Sequence, residues 1–424
     1  MKFPEYKGLD LPKVAEEILN SWQEKNIFEK SITSREGAEP FIFFEGPPSA
    51  NGLPGVHHVL ARAIKDIFPR YKTMKGFQVK RKAGWDTHGL PIELGVEKEL
   101  GITKEDIGKK ISVEDYNAAC RKAVMRYTDI WNDLTQKMGY WVDMEDPYIT
   151  YEPKYMESVW WLLKQIYNKE LIYKGYTIQP YSPKAGTGLS SHELNQPGTY
   201  QDVTDTTVVA QFKAINETLP DFLQNEGDIN FIAWTTTPWT LPSNTALTVG
   251  PKIEYVLVDT YNQYTFEPVK VILAKNLISK QFGGKNAFEV ETADELKAYK
   301  SGEKKIPFYV VKEFIGKDLV GIKYEQLLDY ALPNDNPQDA FRVISGDFVT
   351  TEDGTGIVHT APTFGADDAL VSKQASPEIP PLLVKDENDN LVPLVDLQGR
   401  FRKEVGEFAG KFVKNEYYND DEAA

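Results

Sequence analysis

Phe41 to Asp66, FIFFEGPPSANGLPGVHHVLARAIKD, is the stretch on which the fold turns. Phe41, Ile42, Phe43 and Phe44 have the bulky apolar character of a strand. Glu45-Gly46-Pro47-Pro48 and the nearby Gly52 then forbid regular structure and impose a rigid turn. Val56, Leu60, Ile64 and Ile67 recur at helical spacing, which predicts a helix packed by one face on a sheet and interrupted at Pro69. His57 and His58 fall in its first turn. Strand, turn and helix N-terminus together make an anion site, because unpaired N–H groups and the positive end of the helix dipole converge there. Imidazoles in that place can hydrogen-bond a phosphate and offset part of its charge. On the residues alone, a purely structural strand-turn-helix unit explains the run equally well.

A second stretch, Gly84-Trp85-Asp86-Thr87-His88-Gly89-Leu90-Pro91-Ile92-Glu93, follows the strand-like Phe77-Gln78-Val79-Lys80. Together with EGPPSANGLP it resembles the class I aminoacyl-tRNA synthetases, and within them the isoleucine branch. The family signature is H-x-G-H, whereas this chain reads Gly55-Val56-His57-His58, so one histidine has moved. The resemblance implies ATP, with Mg²⁺ on its phosphates, as a substrate. It places Pro48, Gly52, Gly55, His57 and His58 at the nucleotide, with the two histidines as the catalytic groups facing the phosphates. It places Pro47, Asp86 and His88 at the amino acid, Asp86 holding the α-ammonium. His57, His58, Asp86 and His88 also include metal-ligand types, but adjacent histidines at a helix start do not share a face, and no metal is assigned to them.

At 424 residues the chain exceeds one ordinary domain, and two domains are expected. No apolar run approaches the roughly 18 to 20 residues of a membrane span, and Met1 to Glu5 leads into no signal-peptide core, so no membrane partner is expected. The single cysteine, Cys120, excludes an intramolecular disulfide, suits a reducing cytoplasm and reads as a small buried helical side chain. A formal net charge of −15 argues against a generic polyanion-binding surface, although Lys72, Lys75, Lys80, Arg81 and Lys82 cluster and the tail Asp420-Asp421-Glu422 inflates the total. That basic group reads equally as a solvated face or as RNA contact.

In chain order, Leu9 to Glu29 reads as a packing helix with Val14, Ile18, Trp22 and Ile27 apolar. A long helix capped by Ser112, with Glu114 and Asp115 in its first turn, is expected to run to about Met138. Another follows Pro153, where Met156, Val159, Trp160, Leu163, Ile166 and Tyr167 form an apolar stripe and Trp160-Trp161 reads as core. Leu171 to Tyr181 reads as a bent strand broken by Ser182 to Gly188. Related synthetases can carry zinc-binding cysteines in this neighbourhood; none stands here, so no zinc is predicted.

From about Gln196 the texture changes to short runs, Thr206 to Phe212, Tyr255 to Val258 and Val269 to Leu273, separated by Gly, Pro and Asn turns. They predict a second, mostly antiparallel β domain. Its position matches the editing insertion of the isoleucine, valine and leucine enzymes. The resemblance rests on Trp234-Thr235-Thr236-Thr237-Pro238-Trp239-Thr240-Leu241-Pro242-Ser243-Asn244 and on Gly354 to Asp368, GTGIVHTAPTFGADD. Read without it, the threonines and Asn244 offer groups to a sugar or ester and Asp367 and Asp368 offer a carboxylate to an ammonium, or all of them serve as turn chemistry. With it, Thr235, Thr236, Thr237, Thr240 and Asn244 surround the terminal adenosine and ester, His359 crowds the side-chain pocket, Asp368 grips the α-ammonium and Asp367 is a turn residue.

The expected architecture is α/β, the first half of a doubly wound, Rossmann-like nucleotide-binding sheet with an inserted, mostly β editing domain. Its segments are a helical start at 1–40, the catalytic half at 41–195, the editing domain at 196–410 and an acidic exit at 411–424. No K-M-S-K-S loop occurs between Gln196 and Ala424, so the chain reads as an amino-terminal fragment, incompetent alone in aminoacylation. The activity implied by the resemblance is ATP-dependent joining of isoleucine to tRNA(Ile), by a cytoplasmic monomer, with hydrolytic editing of Val-tRNA(Ile). Editing is expected because one methylene gives only about 1 to 3 kcal/mol of discrimination, a limit already known for this same family. A free-standing deacylase of mischarged tRNA and a catalytically silent tRNA- or nucleotide-binding module are the alternatives.

Overall fold

The computed structural model describes residues 8–175, 177–283 and 286–414. The chain divides into two compact units between Gly175 and Tyr176. The expected acidic exit at 411–424 lies outside the described residues beyond Lys414.

Unit 1 opens with α1 (Leu11–Glu24) and α2 (Ile27–Thr33), separated where Asn26 turns left-handed (φ 48°), so the single predicted helix is two. Trp22 packs edge-on against Trp141 at 5.1 Å. β1 (Phe43–Phe44), β2 (Arg81–Trp85) and β3 (Asp143–Ile149) form a three-stranded sheet in that order, with both pairings parallel. α3 (Val56–Met74) connects β1 to β2, while α4 (Leu90–Leu100), α5 (Val113–Val124) and α6 (Thr128–Lys137) lie between β2 and β3. α7 (Pro153–Asn168) follows β3. Parallel strands joined through helices are the half-sheet expected of a doubly wound fold.

Several sequence expectations are corrected here. α3 does not stop at Pro69. The proline is buried within the helix, and its carbonyl accepts from Thr73 Oγ1 at 2.7 Å and from Arg81 Nη2 at 3.1 Å. Val56, Leu60, Ile64 and Ile67 are exposed; the buried positions are Arg62, Pro69 and Thr73, on the opposite side of the helix. Arg62 explains the choice of face, since its guanidinium stacks on Trp131 (4.9 Å) and Tyr140 (5.7 Å) and donates to Thr135 Oγ1 at 2.6 Å. The second strand begins at Arg81 rather than Phe77, and Arg81 is buried, so the basic cluster is not one continuous surface. Lys72 lies over the rings of Phe41 and Phe77, and Lys82 pairs with Asp146.

Ser112 caps α5 as predicted, accepting from Asp115 N at 3.0 Å, but the long helix breaks at Met125–Tyr127. There the Tyr127 amide donates to Ala50 O, outside the helix. Cys120 is only half-buried in α5. Trp160 and Trp161 on α7 are 64% and 61% exposed and are not core. No strand occupies the described part of 171–180; a short hairpin pairs β4 (Tyr181–Ser182) with β5 (Thr187–Gly188) instead.

Unit 2 is built on a six-stranded sheet. Its strands are β6 (Val208–Lys213), β7 (Ile229–Thr235), β9 (Glu254–Tyr261), β10 (Pro268–Ala274), β11 (Ala287–Glu289) and β12 (Ile306–Ile315), in the order β11-β12-β9-β10-β7-β6. A three-stranded sheet sets β8 (Ala246–Val249) between β13 (Arg342–Ser345) and β14 (Ile357–Thr360). Pairing is mostly antiparallel, as expected, with parallel contacts at β7/β10, β11/β12 and β8/β13. Phe212, Phe231, Leu247, Leu257, Ile272 and Val343, drawn from both sheets, fill a common core. Burying such side chains contributes about 1.5 to 3 kcal/mol each, which gives the site a rigid floor.

Candidate functional site

In unit 1 the turn after β1 is held by its carbonyls. Pro48 O accepts from Asp86 N at 3.0 Å, Ala50 O from Tyr127 N at 3.0 Å, and Gly52 O from Trp131 Nε1 at 2.9 Å. Anchoring by carbonyls commits the oxygens of this segment to the protein. Beneath it Glu45 is buried, bonded to Lys65 Nζ at 2.5 Å and to the Tyr140 hydroxyl, while Tyr148 OH donates to its carbonyl. Tyr148 can reach because its ring lies on Gly84, its register partner in β2. Lys65 carries no sequence signal, and Glu45 reads there only as part of the turn, although an acid two residues before a pair of prolines is an available signal.

Gly55 caps α3 in an extended conformation, and its amide donates to His58 Nδ1 at 2.9 Å. His58 therefore has Nε2–H to offer a ligand. Its ring meets His57 at 3.8 Å and the edge of Trp131 at 4.8 Å. Burial, then the charges of His57, Arg62 and Lys65, hold its pKa below the ordinary value. His57 is exposed, and its ring fills the space a Cβ on Gly55 would need, 2.8 Å away. The glycine and the displaced histidine are sterically coupled.

Asp86 follows β2, and its Oδ1 accepts from His88 N at 3.3 Å. Parallel pairing of β2 with β3 brings Thr150 alongside, where its hydroxyl meets Thr87 N at 2.9 Å and His88 Nδ1 at 2.9 Å. His88 lines a cavity of about 310 Å³ formed with Tyr116, Cys120, Arg121 and Met156. Pro47, Pro48 and Asp86 are not in its wall.

In unit 2 a cavity of about 420 Å³ gathers Thr235, Thr236, Thr237, Thr240, His359 and Asp368. The aromatic rings of Trp234, Trp239, Phe348 and Phe364 complete much of its lining. β7 delivers the first threonine, and a 3₁₀ turn over Pro238–Ser243 folds Thr240 back beneath it. Thr237 N donates to Thr235 Oγ1 at 3.1 Å, and Thr240 Oγ1 donates to Thr237 O at 2.8 Å. β14 delivers His359. Its antiparallel register with β8, Thr360 opposite Ala246, sets Asn244 beside the histidine ring.

Asn244 does not take the position expected from the sequence. It is 3% exposed and absent from the cavity wall, and its amide is spent on His359 Nδ1 and Ala246 O, both at 2.8 Å, with Tyr324 OH donating to its Oδ1 at 2.6 Å. Burial lowers the pKa of His359 to about 4. Asp368 lies in the first turn of the Ala366–Gln374 helix, accepts from Ala361 N at 2.8 Å and has its pKa raised, chiefly by burial. Asp367 is exposed in the same helical turn rather than in a loop turn. Among the described residues no group of three or more His, Cys, Asp or Glu side chains could hold a metal ion.

The family profile "tRNA synthetases class I (I, L, M and V)" matches residues 17–349. The chain belongs to the class I aminoacyl-tRNA synthetases. Among relatives in this synthetase family it is 63% identical over 422 residues to the isoleucine–tRNA ligase of Cytophaga hutchinsonii, covering 100% of this chain and 37% of that protein. It is 61% identical to the ligase of Bacteroides fragilis over 98% of this chain and 37% of the relative, and 58% identical to that of Porphyromonas gingivalis with the same coverage. The chain thus spans 37% of the length of these synthetases. No helix among the described residues is long and apolar enough to cross a membrane.

Proposed function

We propose that this chain carries the nucleotide-side portion and the editing site of an isoleucine–tRNA ligase, acting as a cytoplasmic monomer on isoleucine, ATP and tRNA(Ile). The observation that carries the reading is the cavity of unit 2, where a row of threonine hydroxyls, a neutral histidine and a half-buried carboxylate converge. In it, Asp368 pairs with the free α-ammonium of a mischarged valine, an interaction strengthened by partial desolvation. The hydroxyls of Thr235, Thr236 and Thr237 orient the terminal ribose and the ester, and His359 bounds the space for the amino-acid side chain. A water molecule adds to the ester carbonyl, the tetrahedral intermediate expels the ribose oxygen, and that oxygen takes a proton from solvent, releasing valine and free tRNA. No protein nucleophile is required.

In unit 1, the α3 N-terminus and the Nε2–H of His58 suit the phosphates of ATP, which brings Mg²⁺ with it as part of the substrate. Asp86 is assigned to the α-ammonium of isoleucine and Pro47 to the wall beside it. Domain limits of 41–195 for the catalytic half and 196–410 for editing go with this reading. The test is hydrolysis of Val-tRNA(Ile) by a full-length enzyme with these residues. Asp368→Ala should lower its rate at least 100-fold, and an unchanged rate would refute the assignment of the site.

A further inference from the structure

The polar chain behind the unit 2 cavity has a direction that can be worked out from its ends. Asn244 lies against Ala246 O, which can only accept, so the amide nitrogen must face it and the amide oxygen must face Tyr324. The Tyr324 hydroxyl therefore donates to Oδ1. The remaining amide hydrogen points at His359 Nδ1, which must be an unprotonated acceptor. The ring proton is consequently on Nε2 and is donated to Thr240 Oγ1 at 2.9 Å, whose own hydrogen goes to Thr237 O. Tyr324, Asn244, His359 and Thr240 are 1%, 3%, 7% and 6% exposed, so water does not compete for these bonds.

We propose that Asn244 and Tyr324 are positioning residues that act through His359, locking its ring so that carbon rather than nitrogen faces the cavity and the ring sets the size of side chain the site accepts. The inference rests on the reading of this cavity as the deacylation site. Both ring nitrogens are occupied by protein groups, so His359 is a wall and not a proton carrier. Histidine serves better than an aliphatic residue because two hydrogen bonds at its opposite sides fix the rotamer, where packing alone leaves freedom to swing. Tyr324 is itself fixed, its ring meeting Phe212 at 5.4 Å and Phe341 at 6.3 Å.

The test combines ¹⁵N NMR of the histidine ring with deacylation kinetics in a full-length enzyme carrying these residues. In the unmodified chain, His359 should be the Nε2–H tautomer throughout pH 5.5 to 8, a measurement that needs no variant; an Nδ1–H tautomer or an even mixture overturns the inference. Asn244→Ala should raise hydrolysis of correctly charged Ile-tRNA(Ile) at least 10-fold while the KM for Val-tRNA(Ile) stays within about twofold. Tyr324→Phe, which keeps the packed ring, should do the same more weakly. A raised KM with discrimination intact would mean that Asn244 contacts the tRNA and would overturn the positioning role. Failure of the unmodified enzyme to hydrolyse Val-tRNA(Ile) overturns the functional reading instead, whatever the tautomer.

Discussion

Acidification should weaken unit 2 through one buried side chain. His359 is held neutral by burial, with a pKa of about 4 against 6.5 for an exposed imidazole. Its unfolded form takes up a proton near pH 6.5, whereas the folded form resists until about pH 4. The stability it contributes is therefore complete above pH 6.5, falls through the interval to pH 4, and has been lost below it. At about 1.4 kcal/mol per pH unit the loss is about 3 kcal/mol, a large part of an ordinary domain's stability. Asp368 acts in the opposite sense: its raised pKa means that the folded state holds a proton more readily, so lowering the pH favours folding through that group. The two are separated by comparing the chain with His359→Gln, which cannot titrate. Urea unfolding, followed by hydrogen exchange in peptides spanning β8 and β14, should show the unmodified chain losing about 3 kcal/mol more than the variant between pH 7 and pH 4. Equal pH dependence in the two proteins would refute the claim that His359 is buried and neutral.

Other consequences concern unit 1. Trp131→Phe removes the donor to Gly52 O and should cost about 1 kcal/mol in thermal or urea unfolding, with faster exchange of the turn amides. Lys65→Met leaves the buried Glu45 carboxylate without its cation and should cost on the order of 2 kcal/mol, less than for a fully buried pair because Lys65 is 31% exposed; Glu45→Gln in the same chain should restore part of it. Gly84→Ala puts a methyl 2.5 Å from the Tyr148 ring and should destabilise unit 1 by about 1 to 3 kcal/mol, measurable by urea unfolding. Gly55→His should push the exposed His57 ring aside, since its Cε1 lies 2.8 Å from the new Cβ, at little cost in the unfolding midpoint; a large fall in the midpoint that His57→Gly reverses would show that the ring cannot move away.

The strand-turn-helix unit and the parallel half-sheet were legible because Pro47, Pro48 and Gly52 leave the backbone few choices, and because a β strand and an α helix impose different periods on the flanking residues. Which side of α3 is buried was not legible. Val56, Leu60, Ile64 and Ile67 make the apolar stripe, but the face turned inward is set by Arg62, whose guanidinium finds two aromatic rings distant in sequence. The continuation of α3 through Pro69 likewise depends on partners, Thr73 and Arg81, that take up its carbonyl. In unit 2 the threonine row, His359 and Asp368 were named from two separated segments, and the fold brings them to one cavity. That Asn244 sits behind the cavity, bonded to His359, is not legible locally, because its neighbour is decided by the register of β8 with β14 and no local pattern encodes a register.

The most direct test of the cavity's role is the relative rate at which a full-length enzyme with these residues hydrolyses Val-tRNA(Ile) and Ile-tRNA(Ile), with His359 intact and with His359→Ala. If His359 is the wall that limits side-chain size, the intact enzyme clears only the valyl ester, and the variant attacks Ile-tRNA(Ile) at a rate approaching that for Val-tRNA(Ile). If the variant still spares Ile-tRNA(Ile) while hydrolysing Val-tRNA(Ile) normally, the amino-acid side chain is measured somewhere else.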